Sequence, residues 1–77
     1  EKYSKALGKS IRAFRESRNI SLKEFEASQD FIDRHALSWI ENGKTVPSAF
    51  TLYRICNAIK ITQADLFLAL EKEIKNS

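Results

Sequence analysis

Two glycines, one proline, one cysteine and no methionine stand among the 77 residues of this chain. So little Gly and Pro leaves few of the turns a sheet-rich fold needs, and no stretch alternates polar with apolar residues. An all-α bundle is therefore expected. The lone cysteine, Cys56, excludes an intrachain disulfide and any zinc site built on paired thiolates. On an apolar helical stripe it is expected to act as a small hydrophobe, in keeping with a reducing cytoplasm. His35, the single histidine, has no imidazole partner, so no metal site is expected. No apolar run is long enough to cross a bilayer, and no signal-peptide pattern is present. A Gly-rich phosphate loop, an HExxH pattern and a workable Ser/His/Asp grouping are all missing, so no catalytic residue, no cofactor and no enzyme activity is expected.

What is present is ordinary for one small folded domain spanning 1–77: 43% hydrophobic and 30% charged residues, with a net charge of +3. That mild basicity is permissive for a polyanionic partner without requiring one. The chain opens on Glu1, not methionine, and is expected to be a piece of something longer.

The first helix is expected from Lys2 or Lys5 to Arg18, with Tyr3, Leu7, Ile11 and Phe14 inward and Lys5, Lys9, Arg12 and Glu16 outward. Gly8 in its middle costs about 1 kcal/mol relative to alanine, which implies close packing there or a later start. Asn19 stops this helix, since asparagine tolerates the left-handed conformation. Ser21 and Glu24 form a capping box, with Ile20 and Phe25 as a hydrophobic staple, for a short helix from Leu22 to Ser28. A turn over Gln29–Ile32 follows, Phe31 and Ile32 plugging the core. Asp33 caps a third helix that Gly43 ends. At about 100° per residue, its Leu37 and Ile40 face inward. Ser38, Trp39, Asn42 and His35 face outward, with Arg34 on the flank. Ser48 caps a fourth helix carrying Leu52, Ile55, Cys56 and Ile59 on one stripe, while Phe50 points off it beside Arg54 and Asn57. Lys60 must end that helix where glycine would be easier, so strain is expected. Thr62 with Asp65 caps the last helix, about 63–75, with Leu66, Phe67, Leu70 and Ile74 inward and Leu68 on its polar side.

A helix as short as the third cannot be stable alone. Its outward His, Trp, Ser and Asn offer hydrogen-bonding groups and an aromatic surface to a partner, and the major groove of double-stranded DNA suits them. Short helix, tight turn and short helix on three supporting helices is a helix-turn-helix layout, here about 21–43. From Leu7 to Phe67 the chain resembles the Cro/C1 (XRE-type) DNA-binding domain of phage repressors and bacterial regulators. The matching pieces are L-G-x-x-I-R at Leu7–Arg12, I-S-x-x-E-F at Ile20–Phe25, L-S-x-I-E-N-G at Leu37–Gly43, P-S at Pro47-Ser48 and I-T-x-x-D-L-F at Ile61–Phe67. The phrase F-R-E-S-R-N-I-S-L-K-E also resembles the amino-terminal domain of Rgg-type regulators.

The resemblance implies a five-helix, lambda-repressor-like bundle whose recognition helix, about 33–42, reads DNA. Arg34, His35, Ser38 and Trp39 would touch bases. Arg34 would grip guanine in two hydrogen bonds, or else pair with a nearby carboxylate as a plain surface residue. His35 would act in the groove or stand as a solvated bystander. Trp39 would cover a thymine methyl or the sugar-phosphate wall, or fold back onto the second helix or Phe31 at the core edge. Lys23, Asn42, Lys44, Thr45 and Ser48 would meet phosphates, or be ordinary surface. Glu41 matches a position that often bonds internally and is expected to be structural. Phe50 and Leu68 would join two copies as a homodimer on an operator, meet a carboxy-terminal effector domain, or simply be surface. Three departures bear on the docking angle: Leu22 stands where glutamine is common, Ser21 to Ser38 is one residue longer than usual, and the turn lacks its usual glycine. A protein-interaction module, an antitoxin or adaptor using the same helix face, is the competing expectation.

Overall fold

In a computed structural model that describes residues 2–76, five α-helices follow one another with no strand among those residues. They are α1 (Lys2–Ser17), α2 (Leu22–Ser28), α3 (Arg34–Glu41), α4 (Ala49–Ala58) and α5 (Gln63–Lys75). Every helix after α1 begins where a side-chain oxygen accepts from the backbone N–H one turn in: Ser21 from Glu24, Asp33 from Ala36, Ser48 from Thr51 and Thr62 from Asp65. At Ser21 and Thr62 the reciprocal bond is also made, completing both expected capping boxes.

Three helix ends share one device. Asn19, Gly43 and Lys60 adopt φ of 58°, 75° and 65°. In each case the next residue's N–H reaches back to the carbonyl five residues earlier: Ile20 to Arg15, Lys44 to Trp39, and Ile61 to Cys56. These are Schellman closures, which satisfy carbonyls the helix leaves open. Only one of the three has glycine, so Lys60 carries the expected strain, about 1 kcal/mol.

The core is built from Leu7, Ile11, Phe25, Leu37, Ile40, Leu52, Ile55, Cys56, Ile59, Leu66 and Leu70, with Phe14, Ile20, Phe31 and Ile32 half-buried against it. α1 packs on α5 and α3, and α2 packs on α3. Two expected core residues lie outside it. Tyr3 is 50% and Phe67 48% exposed, and together with Leu70 and Ile74 they line a shallow surface depression. The buried stripe of α1 is Ser4, Leu7, Gly8, Ile11 and Arg15, one position out of phase with Tyr3. The stripe of α5 is Leu66 and Leu70, and Phe67 falls to its side. α1 ends at Ser17, one residue short of Arg18.

The turn between α2 and α3 closes without a left-handed residue, since Gln29 is extended at φ −155° and ψ 165°. Its carboxamide does the closing. Nε2 donates to the carbonyls of Phe25 (3.1 Å) and Ile32 (2.8 Å), while Oε1 accepts from the N–H groups of Phe31 (3.0 Å) and Ile32 (3.1 Å). One side chain thereby stands in for the missing glycine. Gln29→Ala would leave three backbone groups unpaired in a half-buried turn, the Phe25 carbonyl keeping the Ser28 hydroxyl, and is expected to cost about 1–3 kcal/mol. Gln29→Glu keeps the accepting oxygen but turns a second carboxylate oxygen, which only accepts, toward the Phe25 and Ile32 carbonyls, so it should melt well below wild type and recover little of the alanine loss. Equal melting of all three proteins would show that the turn is held by something else.

Candidate nucleic-acid interface

The carboxy-terminal half of α3 is pinned to α1. Arg15 donates to both carboxylate oxygens of Glu41, Nε to Oε2 at 2.7 Å and Nη2 to Oε1 at 3.0 Å, and its Nη1 donates to the Ile20 carbonyl. Both side chains are almost wholly buried, 7% and 4% exposed. Gly8 lets the carbonyls of Ile40 and Glu41 lie directly on α1, and Gly43 in turn lies against Lys5. Ser4 Oγ donates to the Gly43 carbonyl at 3.2 Å. Both glycines of the chain thus serve the same junction. With that end held, the rest of α3 has only its Leu37 and Ile40 stripe inside, and its opposite face is turned to solvent.

On that face Arg34, His35 and Trp39 are exposed, Trp39 by 57%. The indole does not fold back into the core edge. Ser38 is half-buried and accepts from Asn42 Nδ2 at 3.3 Å, so these two expected contacts form one polar pair. Arg34 lies near a carboxylate, the pairing the sequence offered as its alternative without naming the partner: its Nε is 3.9 Å from Glu26 Oε1, and Glu26 Oε2 accepts the Arg34 backbone N–H at 3.0 Å. This positions the start of α3 against α2. An exposed pair of that length is weak, up to about 1 kcal/mol, so the guanidinium is readily given up to another anion.

The expected phosphate contacts spread over three segments. Lys23 is exposed in the first turn of α2, Asn42 at the end of α3, and Lys44 and Thr45 in the loop to α4. The Lys44 N–H, bound to the Trp39 carbonyl at 2.9 Å, ties that loop to α3. Ser48 caps α4, accepting from the Thr51 N–H and donating to Thr51 Oγ1, both at 3.1 Å. Val46 is 58% exposed in the same loop. Phe50 and Leu68 are each 65% exposed, on α4 and α5. Buried Arg15 was missed, although it stands four residues beyond Ile11 and eight beyond Leu7 on the inward stripe; a charge in that register was the available signal. Cys56 is buried, and burial pushes its thiol pKa up. No group of His, Cys, Asp and Glu among the described residues is arranged to hold a metal ion. No helix there is long and apolar enough to cross a membrane.

Known proteins with this arrangement share its geometry. Two solved structures of the clp gene regulator ClgR from Corynebacterium glutamicum superpose on it, each at 25% sequence identity. One gives a TM-score of 0.86 over 94% of this chain and 91% of that one; the other gives 0.87 over 95% and 77%. No curated protein matches by sequence. The sequence profile described as "Helix-turn-helix domain" matches residues 8–73, which takes in the capped α2, the Gln29 turn, α3 and the helices that hold them, and the chain belongs to that family.

Proposed function

We propose that this domain binds double-stranded DNA sequence-specifically, as the reading module of a bacterial or phage-type transcription regulator. One observation carries the proposal: α3 is anchored at its far end by a buried two-bond ion pair while Arg34, His35 and Trp39 stand exposed on its free face. The likeness to a gene regulator supports it. In the groove, Arg34 exchanges Glu26 for guanine O6 and N7, His35 meets a neighbouring base edge, and Ser38 with Trp39 covers the next step. Lys23, Asn42, Lys44, Thr45 and Ser48 hold the phosphates on either side and set the register without reading sequence. Two copies on adjacent half-sites, with Leu68 or Phe50 at their contact, and an effector domain following α5 complete the proposal, which places the protein in the cytoplasm with its operator.

Trp39 is the chain's single tryptophan and reports directly. Its fluorescence should change on titration with duplex DNA. The two cationic phosphate contacts, Lys23 and Lys44, should give a log–log salt slope of about −1.8 per domain, at about −0.9 each. Selection from random duplexes should return a defined site, and Arg34→Ala or His35→Ala should relax it by about 1–3 kcal/mol at single positions. A selected site unchanged by both substitutions would remove the base-reading assignment even if binding survived. Exposed indole is equally what an adaptor or antitoxin would show a protein partner; on that reading the titration stays flat.

A further inference from the structure

Arg54 is held by aromatic faces alone. Its guanidinium carbon stands 4.6 Å from the centre of the Phe31 ring and 5.4 Å from that of Phe50. The other four arginines each meet an oxygen of the chain: Arg12 that of Glu16, Arg15 those of Glu41 and Ile20, Arg18 that of Lys60, and Arg34 that of Glu26. Among the described residues Arg54 has neither hydrogen bond nor ion pair, although its side chain is half-buried. Stacking uses the faces of a guanidinium and leaves its N–H groups, which lie in the plane, open to an acceptor. With its orientation already restricted, the group loses little further freedom on binding, and its planar fork matches the oxygens of a phosphate.

The place matters as much as the chemistry. Phe31 precedes Asp33, the N-cap of α3, by two residues, a reach of about 7 Å at most. Arg54 therefore borders the turn that leads into the end of α3 carrying Arg34 and His35. For a helix seated in a groove about 12 Å wide, a group flanking the helix end meets the phosphate wall and not the bases. We infer that Arg54, set against the rings of Phe31 and Phe50, is a DNA-phosphate contact flanking the start of the recognition helix, an inference that rests on the DNA-binding reading above. It gives exposed Phe50 a role as one wall of the arginine's seat.

The test compares the full chain with Arg54→Gln and Arg54→Lys on the selected duplex and on a random duplex of equal length. Arg54→Gln, whose planar amide still stacks on Phe31, should flatten the salt slope by about 0.9. Its affinity should fall about tenfold on both duplexes alike, with the selected site unchanged. Arg54→Lys should keep the slope and bind more weakly, because an ammonium stacks poorly and lacks the fork. Should Arg54→Gln fail to fold, Phe50→Leu at its exposed position decides: an affinity loss on both duplexes with self-association unchanged supports the assignment, while no loss, or a loss that tracks weakened self-association, overturns it. Binding with an unchanged slope in Arg54→Gln overturns the assignment while leaving the DNA-binding reading standing. Altered self-association with that unchanged slope assigns Arg54 to a contact between copies instead. Absence of any DNA binding by the unsubstituted chain overturns both.

Discussion

Glu41→Ala is expected to destabilise the domain by about 3–5 kcal/mol, because it strands the Arg15 guanidinium in the interior without its counter-charge. Domains of this length have about 4–12 kcal/mol in total, so the substitution removes a quarter or more of what holds the fold. The pair is strong in geometry: two parallel bonds from Arg15 to Glu41 plus a third to the Ile20 carbonyl at the closure of α1. The hydrogen bonds to Glu41 hold the Arg15 pKa above its ordinary value, against the opposing effect of burial. With the folded pKa raised, the arginine's contribution is fully present below its ordinary pKa and is lost only as pH rises through the raised one, under strongly alkaline conditions. Denaturant unfolding checks the loss as a drop in midpoint with an unchanged slope. A second variant separates stranded charge from lost packing. Replacing Arg15 by Met and Glu41 by Leu together should recover most of the stability, since an apolar pair of similar volume leaves no buried charge. A double variant as unstable as Glu41→Ala would show that the Ile20 carbonyl bond, not the pair, is the main support.

Gly8→Ala should also destabilise, against the usual direction for an alanine in mid-helix. Helix propensity alone favours alanine by about 1 kcal/mol. Here a Cβ would stand 2.5 Å from the Glu41 carbonyl oxygen, 2.7 Å from its carbon, and against the Ile40 oxygen as well. These are backbone atoms at the end of α3, and no rotamer can move them aside. Overpacking of this kind costs about 1–3 kcal/mol, occasionally more, and contact with two carbonyls belongs at the upper end. A net loss of about 2 kcal/mol is expected, read as a lower melting temperature. If the chain instead relieves the clash by lifting α3 from α1, DNA affinity should fall further than stability does. A more stable Gly8→Ala protein would mean that the two helices do not approach as closely as described.

The parts of the fold that were legible in the sequence are those governed by short range. The limits of α2 and α5 follow from capping boxes whose members are three residues apart, and Asn19, Gly43 and Lys60 announce their helix ends by being where a left-handed residue must stand. The outward face of α3 follows from helical geometry once Leu37 and Ile40 are taken inside. Its closed turn did not follow. Gln29 has no preference for a turn as strong as glycine's, and its role depends on a long side chain folding back over the residues that flank it.

Periodicity by itself placed Tyr3 and Phe67 in the core, because large apolar residues at the right spacing are assumed to be buried. The close approach of α3 instead gave that stripe of α1 to Ser4 and Gly8, where a larger side chain would hold the helices apart, and to Arg15, whose charge is met by Glu41 of α3. The Arg15–Glu41 pair spans 26 residues and the Arg34–Glu26 bond eight, and no local preference encodes either distance. What the sequence alone determined is where each helix starts, stops and turns its polar face, since those depend on neighbours a turn away. Which charges are buried together, which aromatic rings stay at the surface, and which arginine is left with open donors were decided by the tertiary structure, because each depends on side chains that meet only when distant helices pack.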